Sequence, residues 1–192
     1  MNYKIREVDG YDEAEELKAL HDACFGDEAP QCQPEIGWWW LAWSGKEAVG
    51  FASLKQSDRY ANVGYLYRVG VLPWHRGHGL QRRFIRAREA KARRLGYVAL
   101  VTDTTDNPVS ANSLIKAGYH IHSPKFRWAY NHSIYWRRWL NAKAIRGYQR
   151  PSGLAGNVPE GSKGPCSPHL QLDAPAQGGP GDGEERGREE AN

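Results

Sequence analysis

The stretch Val69-Gly70-Val71-Leu72-Pro73-Trp74-His75-Arg76-Gly77-His78-Gly79-Leu80-Gln81 constrains this chain more than any other. Gly64 to Leu72 is rich in aromatic and β-branched residues and predicts a strand. Pro73 stops it, because proline has no N–H to give a sheet. A short loop with two glycines follows, and Gly77 to Leu95 then carries a helical pattern. Its apolar side is Leu80, Phe84, Ile85, Ala92 and Leu95, interrupted by Arg88. Glycines let successive N–H groups turn the same way, and the first helical turn adds donors with no partner inside the helix. Together with the helix dipole they make a site for a phosphate or pyrophosphate, on which Arg76 can place a guanidinium. The loop lacks the longer glycine fingerprint of dinucleotide folds, and no Gly-Lys-Ser/Thr follows.

Charge is unevenly spread. Residues 1–150 carry 23 Lys and Arg against 15 Asp and Glu, whereas residues 151–192 carry 3 against 7. Arg82, Arg86 and Arg93 share one side of the helix after the glycine loop. A basic body calls for a polyphosphate ligand or a nucleic acid. From Arg150 the chain is Gly, Pro, Ser and charge with little to bury, so two parts are expected: a domain over 1–149 and a disordered, acidic, Gly/Pro-rich tail over 150–192.

The body predicts a mixed α/β (α+β) domain. Strands are expected at Tyr3–Val8, Trp38–Trp43, Ala48–Leu54, Gly64–Leu72 and Tyr97–Thr102. Helices are expected at Asp12–Phe25, with Asp12 as cap, and at Val109–Ala117. Tyr119–His122 and Phe126–Tyr135 read as a closing β pair. Cys24, Cys32 and Cys166 form neither metal spacing nor an even disulfide set, so reduced thiols in a cytoplasmic setting are the simplest reading, with no metal. No apolar run approaches the roughly 20 residues of a membrane span, and the polar N-terminus does not read as a signal peptide.

The string Val71-x-Pro73-x-x-Arg76-Gly77-x-Gly79-Leu80 resembles the acetyl-CoA loop of the GNAT (Gcn5-related N-acetyltransferase) superfamily, whose pattern is Arg/Gln-x-x-Gly-x-Gly/Ala. Arg76 and Gly79 match, and Gln81 stands where the last small residue is usual. Asn107-Pro108-Val109-Ser110-Ala111-Asn112-Ser113, followed by Leu114-Ile115-Lys116-Ala117-Gly118-Tyr119, is similar to the superfamily's next motif. The resemblance spans about residues 1 to 136. It implies a mixed, mostly antiparallel sheet flanked by helices, with a splayed central strand pair that admits the pantetheine arm.

Carried over by position, the resemblance implies a cofactor site of Val69, Gly70, Val71, Arg76, Gly77, His78, Gly79, Leu80, Gln81, Asn107, Ser110, Asn112 and Lys116. The reaction it implies is attack of an amine on the acetyl-CoA thioester. The usual strand glutamate is absent from Tyr65-Leu66-Tyr67-Arg68-Val69, and Leu114 replaces the usual tyrosine. Tyr119, Ser113 and Tyr67 are the candidate acids, and Asp103, Asp106, His120 or a water chain the candidate bases.

The partners expected are acetyl-CoA and an amine acceptor, a small molecule or a protein, with a monomer or homodimer and no membrane. An aromatic wall including Trp38, Trp39, Trp40, Trp128 and Tyr130 is a candidate acceptor surface. The alternative, not favoured, is a nucleic-acid-binding module, or an acyltransferase acting on a nucleic-acid-associated substrate. It draws on the arginine-rich helix and on Arg137, Arg138, Lys143, Arg146 and Arg150.

Overall fold

The computed structural model describes residues 2–26 and 29–141. The expected tail over 150–192, the boundary at residue 149, and Lys143, Arg146 and Arg150 lie outside the described residues.

The elements, in chain order, are β1 (Tyr3–Val8), α1 (Ala14–Phe25), β2 (Trp38–Ser44), β3 (Glu47–Gln56), β4 (Val63–Val71), α2 (Leu80–Arg94), β5 (Ala99–Thr104), α3 (Pro108–Lys116), β6 (His120–Ile121) and β7 (Ile134–Trp139). They build one mixed sheet in the order β1-β2-β3-β4-β5-β7-β6. Every pairing is antiparallel except the central one, β4 with β5.

Helices cover both faces. Under α1 lie Leu17, Leu20, Trp39, Leu41 and Phe51; on the other face Trp40, Leu54, Leu66, Phe84, Ile85 and Leu114 pack with α2 and α3. The three consecutive tryptophans therefore divide between two cores. Trp39 is fully buried on the α1 side and Trp40 nearly so on the other, while half-buried Trp38 meets Tyr97 and Lys91. Strand alternation explains this, and none of the three forms an acceptor wall.

Three expected boundaries shift. Asp12 does not cap α1; Asp9 does the local work, its Oδ1 accepting from the Tyr11 N–H at 2.8 Å. The helix expected from Gly77 starts at Leu80, because Gly77 and Gly79 sit at φ +79° and +73°, outside helical space. The last strand is Ile134–Trp139 rather than Phe126–Tyr135, and it inserts between β5 and β6. Its polar look is deceptive. Arg137 lays its guanidinium 4.9 Å over the Trp139 ring, and Arg138 reaches Glu89 at 2.7 Å.

Much of the basic helix serves the fold. Arg83 donates to the Tyr3 carbonyl at 2.8 Å, Arg93 to the Leu140 carbonyl at 3.0 Å, and Arg94 pairs with Glu7. Among the described residues no helix is long and apolar enough to cross a membrane.

Two histidines, His21 fully buried and His122 partly so, couple this packing to pH. His21 is fully buried, and burial first, then Arg68, hold its pKa below 6.5 against the opposing pull of Asp22. His122 is lowered likewise, by burial and then by Arg137. The fold thus prefers both rings neutral. Their contribution to stability is present above the unfolded value and is lost as pH falls through the depressed folded values. The melting temperature should fall between about pH 7 and about pH 5, and the drop should shrink in His21→Phe; an unchanged pH profile in that variant would remove His21 from the account. Phe84→Ala, which hollows out the seat of α2, should cost about 3 to 5 kcal/mol, read by chemical denaturation.

Candidate active site

The central parallel pairing is short. Register holds at Val63↔Ala99, Gly64↔Leu100 and Tyr65↔Val101, and stops there. Beyond it β4 continues to Val71 and β5 to Thr104 without pairing to each other. The divergence begins where β4 carries an extra residue opposite β3. Ala52 pairs Val69 but Leu54 pairs Leu66, so Tyr67 and Arg68 together face Ser53. Ser53 Oγ fixes the bulge by accepting from the Arg68 N–H at 3.1 Å. Across the opening, Thr102 Oγ1 donates to the Leu66 carbonyl at 3.0 Å, tying the strands at the point where they part.

The gap is a cavity of about 70 Å³. Leu66, Tyr67 and Val69 line it from β4, Thr102, Asp103 and Thr104 from β5, Gln81, Ile85 and Arg88 from α2, and Ser110 and Leu114 from α3. Gly70 belongs to the opposite face, where a Cβ would lie 2.9 Å from Cys24 Sγ, so α1 leaves room for no side chain there.

At the cavity's end lies the glycine loop. Pro73–His75 makes one 3-10 turn, after which Gly77 and Gly79 take left-handed conformations with nothing near their missing Cβ atoms. Among the described residues, the N–H groups from Gly77 to Arg82 donate to no protein acceptor; the first helical bond is Arg83 N–H to Gly79 O at 3.2 Å. This is a run of free donors at a helix N-terminus beside an open cleft, which fits an anion. The Arg76 N–H instead bonds Pro73 O, and its side chain closes on the Val71 carbonyl at 3.0 Å. His78 packs its ring 5.5 Å from that of Tyr3.

Gln81, the departure from the family pattern, reaches across to α3. Its Nε2 donates to Ser110 Oγ at 2.9 Å, and its Oε1 lies 3.3 Å from Ser113 Oγ. The longer side chain therefore leaves the loop amides clear. Asn107 caps α3 through Oδ1, accepting the Ser110 N–H at 2.9 Å, while Asn112 and Lys116 are exposed farther along.

The candidate acids separate clearly. The Tyr119 hydroxyl is buried against Glu89, and burial first, then the Glu89 charge, push its pKa far above the usual value. Tyr119 does not line the cavity. Ser113 commits its proton to the Val109 carbonyl at 2.9 Å. Tyr67 lines the cavity, and its hydroxyl has no partner among the described residues. Of the candidate bases, Asp106 is exposed and paired with His132 at 3.0 Å, and His120 is exposed on the outermost strand.

Asp103 is different. It stands where β4 and β5 part, and its Oδ1 accepts from the Tyr65 hydroxyl at 2.7 Å and from the Trp128 indole at 2.8 Å. Trp128 meets Tyr65, Tyr60 and Tyr135 edge-on, and Lys55 lies 5.3 Å over Tyr67. The aromatic patch at the cleft's far mouth is thus Tyr60, Tyr65, Tyr67 and Trp128. Sequence spacing did not reveal it, because the 122–133 loop folds Trp128 back over the sheet.

The geometry has parallels. A protein from Klebsiella pneumoniae described as an acyl-CoA N-acyltransferase aligns at 24% identity and TM-score 0.56, over 72% of this chain and 98% of its own. An acetyltransferase fold from Salmonella typhimurium, solved with acetyl-CoA, aligns at 18% identity and TM-score 0.56, over 73% and 95%. A Bacillus subtilis acetyltransferase in complex with CoA aligns at 15% identity and TM-score 0.55, over 71% and 97%. Comparison with curated proteins gives no match. These likenesses show the fold. The sequence model of the acetyltransferase (GNAT) family matches residues 7–119, a stretch that holds the glycine loop, the strand gap and the α3 motif. The chain belongs to the GNAT family of acetyltransferases.

Proposed function

We propose that this protein is an acetyl-CoA-dependent N-acetyltransferase that joins an acetyl group to a primary amine. The observation that carries this reading is the pairing of an open β4–β5 gap with the unpaired N–H groups of Gly77 to Arg82 at its end. When bound, the donor supplies an acyl group activated on sulfur.

In this reading the amides of Gly77, His78, Gly79, Leu80 and Gln81 hold the diphosphate, with Arg76 beside them. The main chain of Val69, Gly70 and Val71 runs along the pantetheine arm, where an N–H pointing into the gap stabilises charge growing on the acyl oxygen. Asn107, Ser110, Asn112 and Lys116 border the same arm from the α3 side. The walls orient donor and acceptor, which supplies a large share of the rate in a bimolecular transfer.

Asp103 and Tyr67 complete the proton accounting. An ammonium must lose a proton before it attacks, and the Asp103 carboxylate, at the junction of cleft and aromatic patch, receives it directly or through one water. The rings of Tyr60, Tyr65 and Trp128 favour a cation there before that transfer. Tyr67, whose hydroxyl has no partner among the described residues, donates a proton to the departing sulfur and regains one from the nitrogen as the tetrahedral adduct collapses to the amide. The acceptor is an amine on a small molecule or a protein. Of the basic residues behind the nucleic-acid alternative, Arg93 and Arg138 already have protein partners, whereas Arg82 and Arg86 stay exposed.

Coenzyme A at about 100 times its dissociation constant should raise the melting temperature by about 5 to 10 °C, in line with ~2.7 kcal/mol of linkage. No shift at millimolar coenzyme A removes the assignment. Arg76→Ala should weaken that binding about tenfold or more, measured by titration calorimetry. With an amine acceptor found by mass spectrometry, Asp103→Asn should lower kcat about 100-fold or more with a smaller change in the donor KM. A kcat near wild type would take the proton-accepting role from Asp103.

A further inference from the structure

α2 carries a charge that the GNAT reading leaves unused. Arg88 lies seven positions after Gln81, about 10 Å farther into the cleft along the helix. It interrupts the apolar side of α2 and is 2% exposed, yet it lines the strand gap. A guanidinium has five N–H donors. Those of Arg88 make two long bonds, Nε to the Phe84 carbonyl and Nη1 to the Ser53 carbonyl, both at 3.3 Å. No carboxylate forms an ion pair with it among the described residues. Glu89, its chain neighbour, turns away to Arg138 at 2.7 Å, and Asp103 is held by Tyr65 and Trp128.

Tyr119 and Glu89 favour its charge without forming an ion pair among the described residues, and a buried cation left with two long hydrogen bonds is costly unless something in the cavity answers it. Neutralising the group is no escape. Burial lowers the Arg88 pKa to about 10, so the charge persists at neutral pH. The surroundings divide into an apolar wall of Leu66, Ile85 and Leu114 and a polar side of Thr102 and Thr104. Thr104 Oγ1 accepts from the Trp136 indole at 2.9 Å, which leaves its proton free to donate. An acetyl methyl fills the apolar wall and leaves Arg88 unanswered. A chain two or three carbons longer, ending in a carboxylate, meets a planar fork of donors suited to two parallel hydrogen bonds.

We propose that Arg88 anchors the distal carboxylate of the acyl group, so that the donor range extends to coenzyme A thioesters of dicarboxylic acids, of the succinyl type. The inference rests on the acyl-CoA reading of the cleft. It adds a binding subsite; no bond to the distal carboxylate forms or breaks.

The test is calorimetric titration of the full chain with coenzyme A, butyryl-CoA and succinyl-CoA, the last two having equal chain carbons and differing in the carboxylate. The wild-type protein should bind succinyl-CoA about tenfold or more tighter than butyryl-CoA, equivalent to about 1.4 kcal/mol. In Arg88→Met that ratio should fall to about one or below, and Arg88→Lys should keep part of it. A wild-type ratio of one or less overturns the proposal even if Arg88→Met does not fold. A ratio that survives Arg88→Met overturns it too. If coenzyme A itself does not bind, the cleft assignment falls and this inference with it; binding of coenzyme A without discrimination sinks the carboxylate anchor alone.

Discussion

One interrupted ladder governs this structure. β4 and β5 pair over three positions, and the extra residue at Tyr67 and Arg68 then turns β4 away. Without that turn the strands would continue to exchange hydrogen bonds, closing the sheet's centre as in an ordinary parallel pair. With it, main-chain groups of both strands are left facing a gap, and unpaired main-chain groups near a core are costly unless a ligand or water satisfies them. The bulge is held by a single hydroxyl, Ser53 Oγ, and the point of parting by another, Thr102 Oγ1. The glycine loop, α2 and α3 are arranged around this opening. Its polar demand is the physical basis of the proposed acyl-CoA reading.

The same opening organises the charges. On the α2 face, Glu89, Arg138 and Tyr119 form a closed set: Arg138 donates to Glu89 and to the Ala117 carbonyl, and the Tyr119 hydroxyl is sealed beside them. Burial raises the Glu89 pKa against the pull of Arg138 and Arg93. This set joins β7, α2 and the end of α3, so it stiffens one wall. Arg88, one residue from Glu89, feels the charges of this set but forms no ion pair with it among the described residues, and it lines the cavity. Adjacent helical residues point about 100° apart, which lets two neighbouring charges serve different partners.

The parts legible in the sequence were those set by local rules. Pro73 ending a strand, glycines at positive φ, the Asn107 cap and the amphipathic stripe of α2 each depend on near neighbours, and the loop that binds the helix to the strand followed from them. What was not legible depended on contacts distant along the chain. Trp-Arg-Arg-Trp at 136–139 reads as polar until Glu89 and the Trp139 ring are placed beside the arginines. Arg88 looked like a break in a stripe, since only the strand gap shows what it faces. Trp128 joins Asp103 across 25 residues of chain, and no spacing rule links them. The tryptophan triplet misled in the other direction, because both faces of this sheet are covered and either face accepts an aromatic ring.

The placement of β7 has a consequence for how the molecule is assembled. β5 is the far bank of the gap, and its outer edge is completed by residues 134–139, beyond the end of the family match at residue 119. During synthesis, β1 to β5 and the first two helices are available long before that final strand emerges. Until it arrives, β5 is a bare edge with six unclaimed register positions, a template for stray strands. Completion of the gap's far bank and protection of the sheet are therefore conferred by the same late event, when the last strand docks with Arg137 laid over its own Trp139 ring and Arg138 meets the Glu89 carboxylate already in place on α2.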